Sequence, residues 1–344
     1  MKGFITKSWD SYLELFDIEN RDIYFTERYV NLYDTNEASA EAFIFEDADR
    51  VYLFPYIKKQ ISVAGGAFFD FETAYGYGGP LSNCQDRGFI EAAFKEFCEL
   101  AVENNIIAGF IRFHPLIKNQ ALVGKGCDVL FDRKTIAMDL RNSEEELWNN
   151  HVQRNHKRSI RKAQKAGLRF VADEELRHMD EFLEIYNKTL DNLNSEDFYR
   201  FNNGYYKSIR ESMGKDSFLG LIYLKDEIIA AYIYFQYGVY GHGHLGGSRA
   251  EYLDICPNNF MLYQAALYFK SRGVKYFHFG GGSDSSEENS LYKFKKRFSK
   301  NEFDFYIGKM VVNEDVYRKA CSEWENRFPE KKERYNKLLL KYRY

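Results

Sequence analysis

The sequence predicts a mixed α/β protein made of two tandem copies of one unit, each a mixed sheet flanked by helices. Three observations lead there. Strand-length apolar segments, several of them joined by short polar turns, occur in both halves of the 344 residues. Each half also places one helix-length segment between two strands. The second hairpin strand, the helix and the strand after it recur at a near-constant offset of about 170 residues, the mark of a duplicated unit. An apolar content of 45% over this length suffices for two cores.

In the first half, residues 42–45 and 51–56 form a hairpin about the turn Glu46-Asp47-Ala48-Asp49. A strand over 68–75, a helix over 87–102 and strands over 106–113 and 135–140 follow, giving a first domain over 1–142. A linking helix spans 143–167. Ser143-Glu144-Glu145-Glu146 has capping-box spacing, and Gly167 stands where a left-handed residue stops a helix. Trp148, Val152 and Ile160 fall on one stripe, with His156 in the gap. On another face Arg154, Arg158, Arg161 and Lys165 recur at four, three and four residues. Such a row repels itself by a few tenths of a kcal/mol per i,i+4 pair, which an anionic partner relieves. A solvated face screened by salt is the competing reading.

A helix-rich stretch over 175–213 supplies Phe182, Ile185, Tyr186, Phe198, Tyr199, Phe201, Tyr205 and Tyr206 as packing residues. The second copy then reads as strand 218–224, turn Lys225-Asp226-Glu227, strands 228–237 and 239–245, helix 258–271 and strand 274–279. A last strand over 303–312 and a helical segment to 344, broken near Pro329, complete a second domain over 143–344.

The formal charge of −3 excludes a chain that coats nucleic acid over its whole surface, but leaves room for a local basic patch. The five cysteines are far apart and form no Cys-x-x-Cys pair, as reduced thiols of a cytoplasmic protein would. Lys2, Lys7, Asp10, Glu14 and Asp17 interrupt any signal-peptide core, and no window resembles a membrane span. A cytoplasmic location without membrane insertion is expected, so any membrane-borne substrate is met from the cytosolic side.

The densest chemistry lies between Phe277 and Phe298. His278, Phe279 and Gly280-Gly281-Gly282 lead through a polar loop to Lys293, Lys295, Lys296 and Arg297, interleaved with Leu291, Tyr292, Phe294 and Phe298. The glycines let backbone run close to a ligand, and the cations suit an anionic carrier. A tight strand-to-helix connection with a solvated basic turn gives the same pattern. His242 and His244, two apart on a strand, share a face and supply either a general base of near-neutral pKa or a hydrogen-bonded core pair. They have no nearby acidic or thiol ligand in sequence, so no metal is expected. Asp254 and His114 are lesser candidates for a base. Asn258 and Asn259 open a helix whose free N–H groups suit a phosphate. Tyr75, Tyr77, Gly78 and Gly79 are candidates to bind an acceptor, or form a plain turn.

The order of elements resembles that of the GNAT acyltransferase fold. Phe279-Gly280-Gly281 followed by Leu291-Tyr292-Lys293-Phe294-Lys295, with the basic helix ending Arg161-Lys162-Ala163-Gln164-Lys165-Ala166-Gly167, resembles the FemAB-like branch of that superfamily. Tyr75-Gly76-Tyr77-Gly78-Gly79-Pro80-Leu81 is similar to its tyrosine, glycine and proline loop, and Ile111-Arg112-Phe113-His114-Pro115 stands where a strand of the family ends before proline. The resemblance runs over roughly residues 38–312. It implies tandem GNAT-like domains that form amide bonds, in many members by moving an aminoacyl group from charged tRNA to an amine of a peptidoglycan precursor.

The resemblance places Lys295 beside the acyl-donor phosphate and the developing oxyanion. Lys293, Lys296 and Arg297 would then bind donor phosphate together with Arg154, Arg158, Arg161, Lys165, Asn258 and Asn259, while Tyr75, Tyr77, Gly78 and Gly79 would bind acceptor. Direct attack in a ternary complex is expected, since no Gly-x-Ser-x-Gly elbow is present. The co-substrate would be aminoacyl-tRNA, with no permanently bound cofactor, and the acceptor an amine-bearing wall precursor, including a membrane-linked one, or a related metabolite. Two positions depart from the family pattern: Asn192 stands where an arginine is usual, and His114 where an acid is common. The family's long coiled-coil arm has no counterpart either. Two other readings remain: an N-acyltransferase using acyl-CoA or acyl carrier protein on an amino sugar or small amine, and a non-catalytic tRNA or anionic-surface binder. The Gln/Arg-x-x-Gly-x-Gly/Ala run that wraps coenzyme A in ordinary GNAT enzymes is missing. The oligomeric state is left open.

Overall fold

The computed structural model describes residues 2–63, 66–193 and 200–344. Its strands, in chain order, are β1 (Lys2–Thr6), β2 (Ala38–Asp47), β3 (Arg50–Val63), β4 (Gly66–Glu72), β5 (Leu81–Ser82), β6 (Ile106–Arg112), β7 (Asp128–Asp139), β8 (Leu168–Asp173), β9 (Ser217–Leu224), β10 (Glu227–Tyr237), β11 (Tyr240–Ser248), β12 (Tyr276–Gly281) and β13 (Glu302–Val311). They fall into two units, one made of residues 1–132 and 304–344, the other of residues 133–303. No helix among the described residues is long and apolar enough to cross a membrane.

In the first unit the strand order is β1-β2-β3-β4-β6-β13, with β5 on β3. Only β4 and β6 run parallel; the other pairs are antiparallel. A parallel pair needs a crossover, which the Arg87–Glu103 helix supplies. Asp86 starts it by accepting the Phe89 N–H at 3.1 Å. The buried face of this helix carries Phe89, Phe94 and Phe97, and Phe97 packs on Phe54 at 4.9 Å and on Phe43 and Phe71 at 5.4 Å between ring centroids. Much of the unusual phenylalanine content is therefore core.

The second unit has the order β7-β12-β11-β10-β9-β8, again with a single parallel pair, β11 and β12. Here the crossover is the Pro257–Ser271 helix, entered through a left-handed Cys256 with Pro257 at the first helical position. Its Phe269 packs on Phe277 of β12 at 4.9 Å and on Phe218 of β9 at 5.3 Å. The two units thus repeat one plan, as the sequence offset predicts.

Three expectations need correction. The 143–344 domain does not hold together at its carboxy end: residues 304–344, including most of β13 and the Glu314–Arg327 helix, belong to the first unit, where β13 pairs with β6. The linking helix over 143–167 is broken. Ser143 forms its capping box with Glu146 and Gly167 adopts φ +82°, so both ends stand, but a π-helical turn over Leu147–His151 and an extended Val152 intervene before a new helix at Arg154–Lys165. The break frees the Gln153 N–H to donate to the Arg297 carbonyl at 2.8 Å. Strands β1 and β8 were not expected; each pairs along its length with a neighbour whose central residues are continuously buried. Of the expected packing residues, Phe198 and Tyr199 lie outside the described residues.

The parallel pairs of the two units differ. In the first, β4 and β6 pair from Phe69 to Glu72, the Thr73 N–H donates to Phe110, the Arg112 N–H donates to the Thr73 hydroxyl, and Gly78 bridges to Phe113. Charge reinforces this closure. Arg343 clamps Asp70 and Glu72, and Arg112 holds Glu72 at 3.0 Å. Burial pushes the Asp70 carboxyl up, whereas Arg112 and Arg343 hold Glu72 below its usual range against the same effect. Asp70 is fully buried. Removing its partner strands a buried charge, so Arg343→Ala is expected to cost about 3 to 5 kcal/mol of stability by denaturant unfolding. A loss below about 1 kcal/mol would show the cluster to be dispensable.

In the second unit, β11 and β12 pair only from Tyr240 with Tyr276 to His242 with His278. Beyond that point β11 continues to Ser248 and β12 to Gly281 without pairing to each other. The two strands therefore part within the sheet of the second unit, whereas their counterparts in the first stay together.

Candidate active site

Gly280 and Gly281 end β12 where it has parted from β11, and Gly282 follows them. A register shift between His278 and Gly280, with Gly280 at φ +75°, bends the strand, and Gly280 and Gly281 then still pair with Ile136 and Thr135 of β7. Gly281 tolerates no side chain: a Cβ there would lie 2.9 Å from the Lys134 carbonyl oxygen and 3.1 Å from Arg133 Cδ. Two cations close on this turn. Lys295 Nζ donates to the Gly281 carbonyl at 2.7 Å, and Arg133 Nη1 donates to the next carbonyl, Gly282, at 2.9 Å.

Lys295 reaches the turn from the Ser290–Lys296 helix. Asn289 caps that helix by accepting the N–H groups of Leu291 and Tyr292, and its amide donates to Ser283 and Asp284 across the loop. The loop is thus tied to the helix that carries the lysine. Burial pushes the Lys295 ammonium down to about 8, and the Arg133 guanidinium adds to the fall. Near neutral pH it remains a cation.

The two basic segments are brought together. His156 lies between Phe294 and Phe298, with ring centroids 5.0 and 4.4 Å away, and its Nε2 is 3.0 Å from the Phe294 carbonyl oxygen. Burial holds this imidazole down to about 4, so it is neutral and structural. With the Gln153 to Arg297 bond, it docks the start of the Arg154–Lys165 helix on the end of the Ser290–Lys296 helix. Arg154, Arg158, Arg161, Lys165 and Arg297 are all exposed. Arg161 lies over the Trp148 ring at 5.4 Å, and none of the five has an acidic partner among the described residues. Lys293 and Lys296 differ, being paired with Glu288 and Glu302.

The histidine pair is held in two environments. His242 stands opposite Phe235 in the β10–β11 register, and its ring lies edge-on to His278 at 5.6 Å. His244 rests on the same Phe235 at 4.7 Å, and its Nε2 lies 2.6 Å from the hydroxyl of Tyr205, a residue of the Asn203–Ser212 helix. Burial, aided by His242, drives His244 down to about 3, too low for an efficient base at neutral pH. Asn258 spends its side-chain oxygen on the hydroxyls of Tyr232 and Ser248, leaving a phosphate role at this helix start to backbone N–H groups. Asn259, next along, is half-buried. Asp254 is exposed, and its carbonyl accepts Lys162 Nζ.

Tyr75, Tyr77, Gly78 and Gly79 belong to the first unit. Tyr29 donates its hydroxyl to the Tyr75 carbonyl at 2.5 Å, and Asn119 donates to the carbonyls of Gly78 and Pro80. Gly79 is buried, and the Tyr77 ring stands edge-on to Tyr24 at 5.3 Å and to His114 at 5.7 Å. His114 is fully buried with Asp22, its Nε2 2.8 Å from the carboxylate, while its Nδ1 accepts the Ile117 N–H. That pairing fixes the imidazole as the Nε2–H tautomer. Sequence reasoning missed Asp22 and Arg133, whose partners lie far along the chain, and Tyr205 as more than a packing residue.

Residues 150–296 match the family described as the Acetyltransferase (GNAT) domain, so the chain carries a GNAT acyltransferase domain and is an acyltransferase. The parted strands, the glycine turn and Lys295 all fall within that match. Across almost its whole length the chain has the fold of FemX, with a TM-score of 0.69 at 16% identity over 92% of this chain and 99% of that one. It is similar, too, to the C-terminal domain of a putative lysylphosphatidylglycerol synthetase from Agrobacterium fabrum (TM-score 0.57, 14% identity, 88% and 92% of the two chains). A tandem GNAT protein of the clavulanic acid biosynthesis pathway aligns at TM-score 0.50 and 10% identity over 90% and 98%. No curated protein sequence matches the chain. The expected fold, tandem GNAT-like units of FemAB-like kind, is the fold observed.

Proposed function

We propose that this acyltransferase moves an aminoacyl group from charged tRNA to an amine, by direct attack within a ternary complex. The observation that carries the reading is the continuous basic face: exposed Arg154, Arg158, Arg161 and Lys165 meet Arg297 through the His156 and Gln153 contacts, next to the helix that carries Lys295. Cations without acidic partners, set at helical spacing, suit successive phosphates of a nucleic acid strand better than one compact pyrophosphate. Lys295 would donate to the carbonyl oxygen of the transferring ester as it gains charge. The acceptor amine, on a wall precursor or a related metabolite, attacks that carbon; the tRNA ribose oxygen leaves, and the amine proton passes to it or to water. The pinned tyrosine loop of the first unit, with Tyr75, Tyr77, Gly78 and Gly79, is the proposed acceptor surface. Similarity in fold to FemX and to a lysylphosphatidylglycerol synthetase domain supports the reading without fixing the acceptor.

Filter binding to a pool of charged and uncharged tRNA across a salt series tests the donor. Retention that favours charged tRNA, weakens steeply with salt and ignores acetyl-CoA is expected. Absence of binding at low salt, with acetyl-CoA or another acyl carrier protecting the protein from proteolysis, would overturn the tRNA donor in favour of acyl-CoA or acyl carrier protein.

A further inference from the structure

Two cations on adjacent carbonyls of one glycine turn form an arrangement that hydrogen bonding alone does not require. Lys295 and Arg133 come from different elements, the Ser290–Lys296 helix and β7, and each donates to the turn, at 2.7 Å on Gly281 and 2.9 Å on Gly282. Their like charges repel, so the pair is held there by the backbone oxygens and by packing. The fit is tight on the Arg133 side, where the Gly281 backbone leaves no room for even a methyl group.

We propose that Arg133 is a positioning residue for Lys295: it fixes the neighbouring carbonyl of the turn and faces the lysine with a permanent charge, setting where the ammonium sits and how readily it gives up its proton. The inference rests on the acyl-transfer reading for the use made of Lys295, but not for the coupling between the two side chains. Several other charged groups on the surrounding elements have partners of their own, while Arg297 at the end of the helix is exposed. Lys134 and Lys296 gather on Glu302 with the Tyr292 hydroxyl, Lys293 pairs with Glu288, and Asp284 is held low by the Ser286 N–H and Asn289, with a smaller contribution from the Arg133 guanidinium. His156, behind Phe294, is held neutral. Arg133 is the charge that acts on Lys295, in the same direction as burial. A lysine so placed stays cationic through neutral pH and starts to lose its proton at a pH well below that at which an exposed one does. The alkaline limb of an activity that needs the cation would move down with it.

Competitive trace acetylation of the full chain with acetic anhydride from pH 6 to 11, read on the peptide containing Lys295 by mass spectrometry, measures its titration without any substrate. For the wild type the midpoint is expected near 8. Arg133→Gln and Arg133→Met, neutral residues of similar length, are expected to raise it by about 0.5 to 1 pH unit, whereas Arg133→Lys keeps it near the wild-type value. Two neutral variants guard against one failing to fold, as judged by thermal melting. An unchanged midpoint in a folded neutral variant would overturn the inference. Because the readout uses no donor or acceptor, a shifted midpoint in a protein that binds no tRNA would sink the donor assignment while leaving the Arg133 coupling in place.

Discussion

Replacing Lys295 by methionine is expected to lower kcat/KM for acyl transfer by about 10²- to 10³-fold, the scale of losing one donor to an oxyanion. Methionine keeps the length and apolar stem of the side chain and removes the charge, so the Phe294 and Phe298 packing around His156 should survive. The Gly281 carbonyl loses its donor, which costs about 1 to 3 kcal/mol of stability if the turn stays shut to water. Thermal melting beside the kinetics separates the two effects, and Lys295→Arg, a cation of different shape, should restore only part of the rate. Full turnover of a folded Lys295→Met protein would remove this residue from the chemistry. Turnover that falls only in step with the folded fraction would make it structural.

The second large effect is on the donor. A triple variant, Arg154→Glu, Arg158→Glu and Arg297→Glu, reverses charges that are exposed and lack acidic partners among the described residues, so the fold should tolerate it within about 0.5 kcal/mol per site. If each arginine neutralises one phosphate, the slope of log K against log salt should drop by about one per residue, about three in all, with affinity down by 10²-fold or more at low salt. An unchanged slope would mean that the basic row is only a solvated face. The same loss with acyl-CoA protection retained would show the row and the acyl-carrier site to be separate features of the second unit.

Sequence patterns revealed the elements that depend on neighbours in the chain. The hairpin about residues 46–49, the crossover helices and the Ser143 capping box all follow from local periodicity and local hydrogen bonds, and all are present. Patterns were silent where a distant residue decides. The helix breaks at Val152, and the Gln153 N–H beyond the break meets the Arg297 carbonyl, a contact that no local rule foresees. Residues 304–344 carry no mark of composition showing that the chain has re-entered the first unit. In the site, Lys295 and the basic row were legible because charge at helical spacing is visible in one dimension. Arg133 was not, since an isolated arginine in a strand becomes informative only once β7 lies beside β12. For His244 the sequence left a base of near-neutral pKa and a hydrogen-bonded core residue open, and burial against Phe235 with the Tyr205 hydroxyl on its Nε2 favours the second.

The contrast between the two parallel strand pairs also bears on how a duplicated gene diverges. A pair that parts must keep its mouth free of anything that would zip it, so substitutions there are filtered for as long as the copy works on a ligand. In the first unit the pair stays together, Arg112 of β6 holds Glu72 of β4, and Arg343 clamps Asp70 and Glu72. Parting it would mean losing buried opposite charges together, because any one lost alone leaves another stranded. The lock therefore acts as an evolutionary ratchet: the parted pair can be retuned by single substitutions, but the closed pair cannot readily be parted.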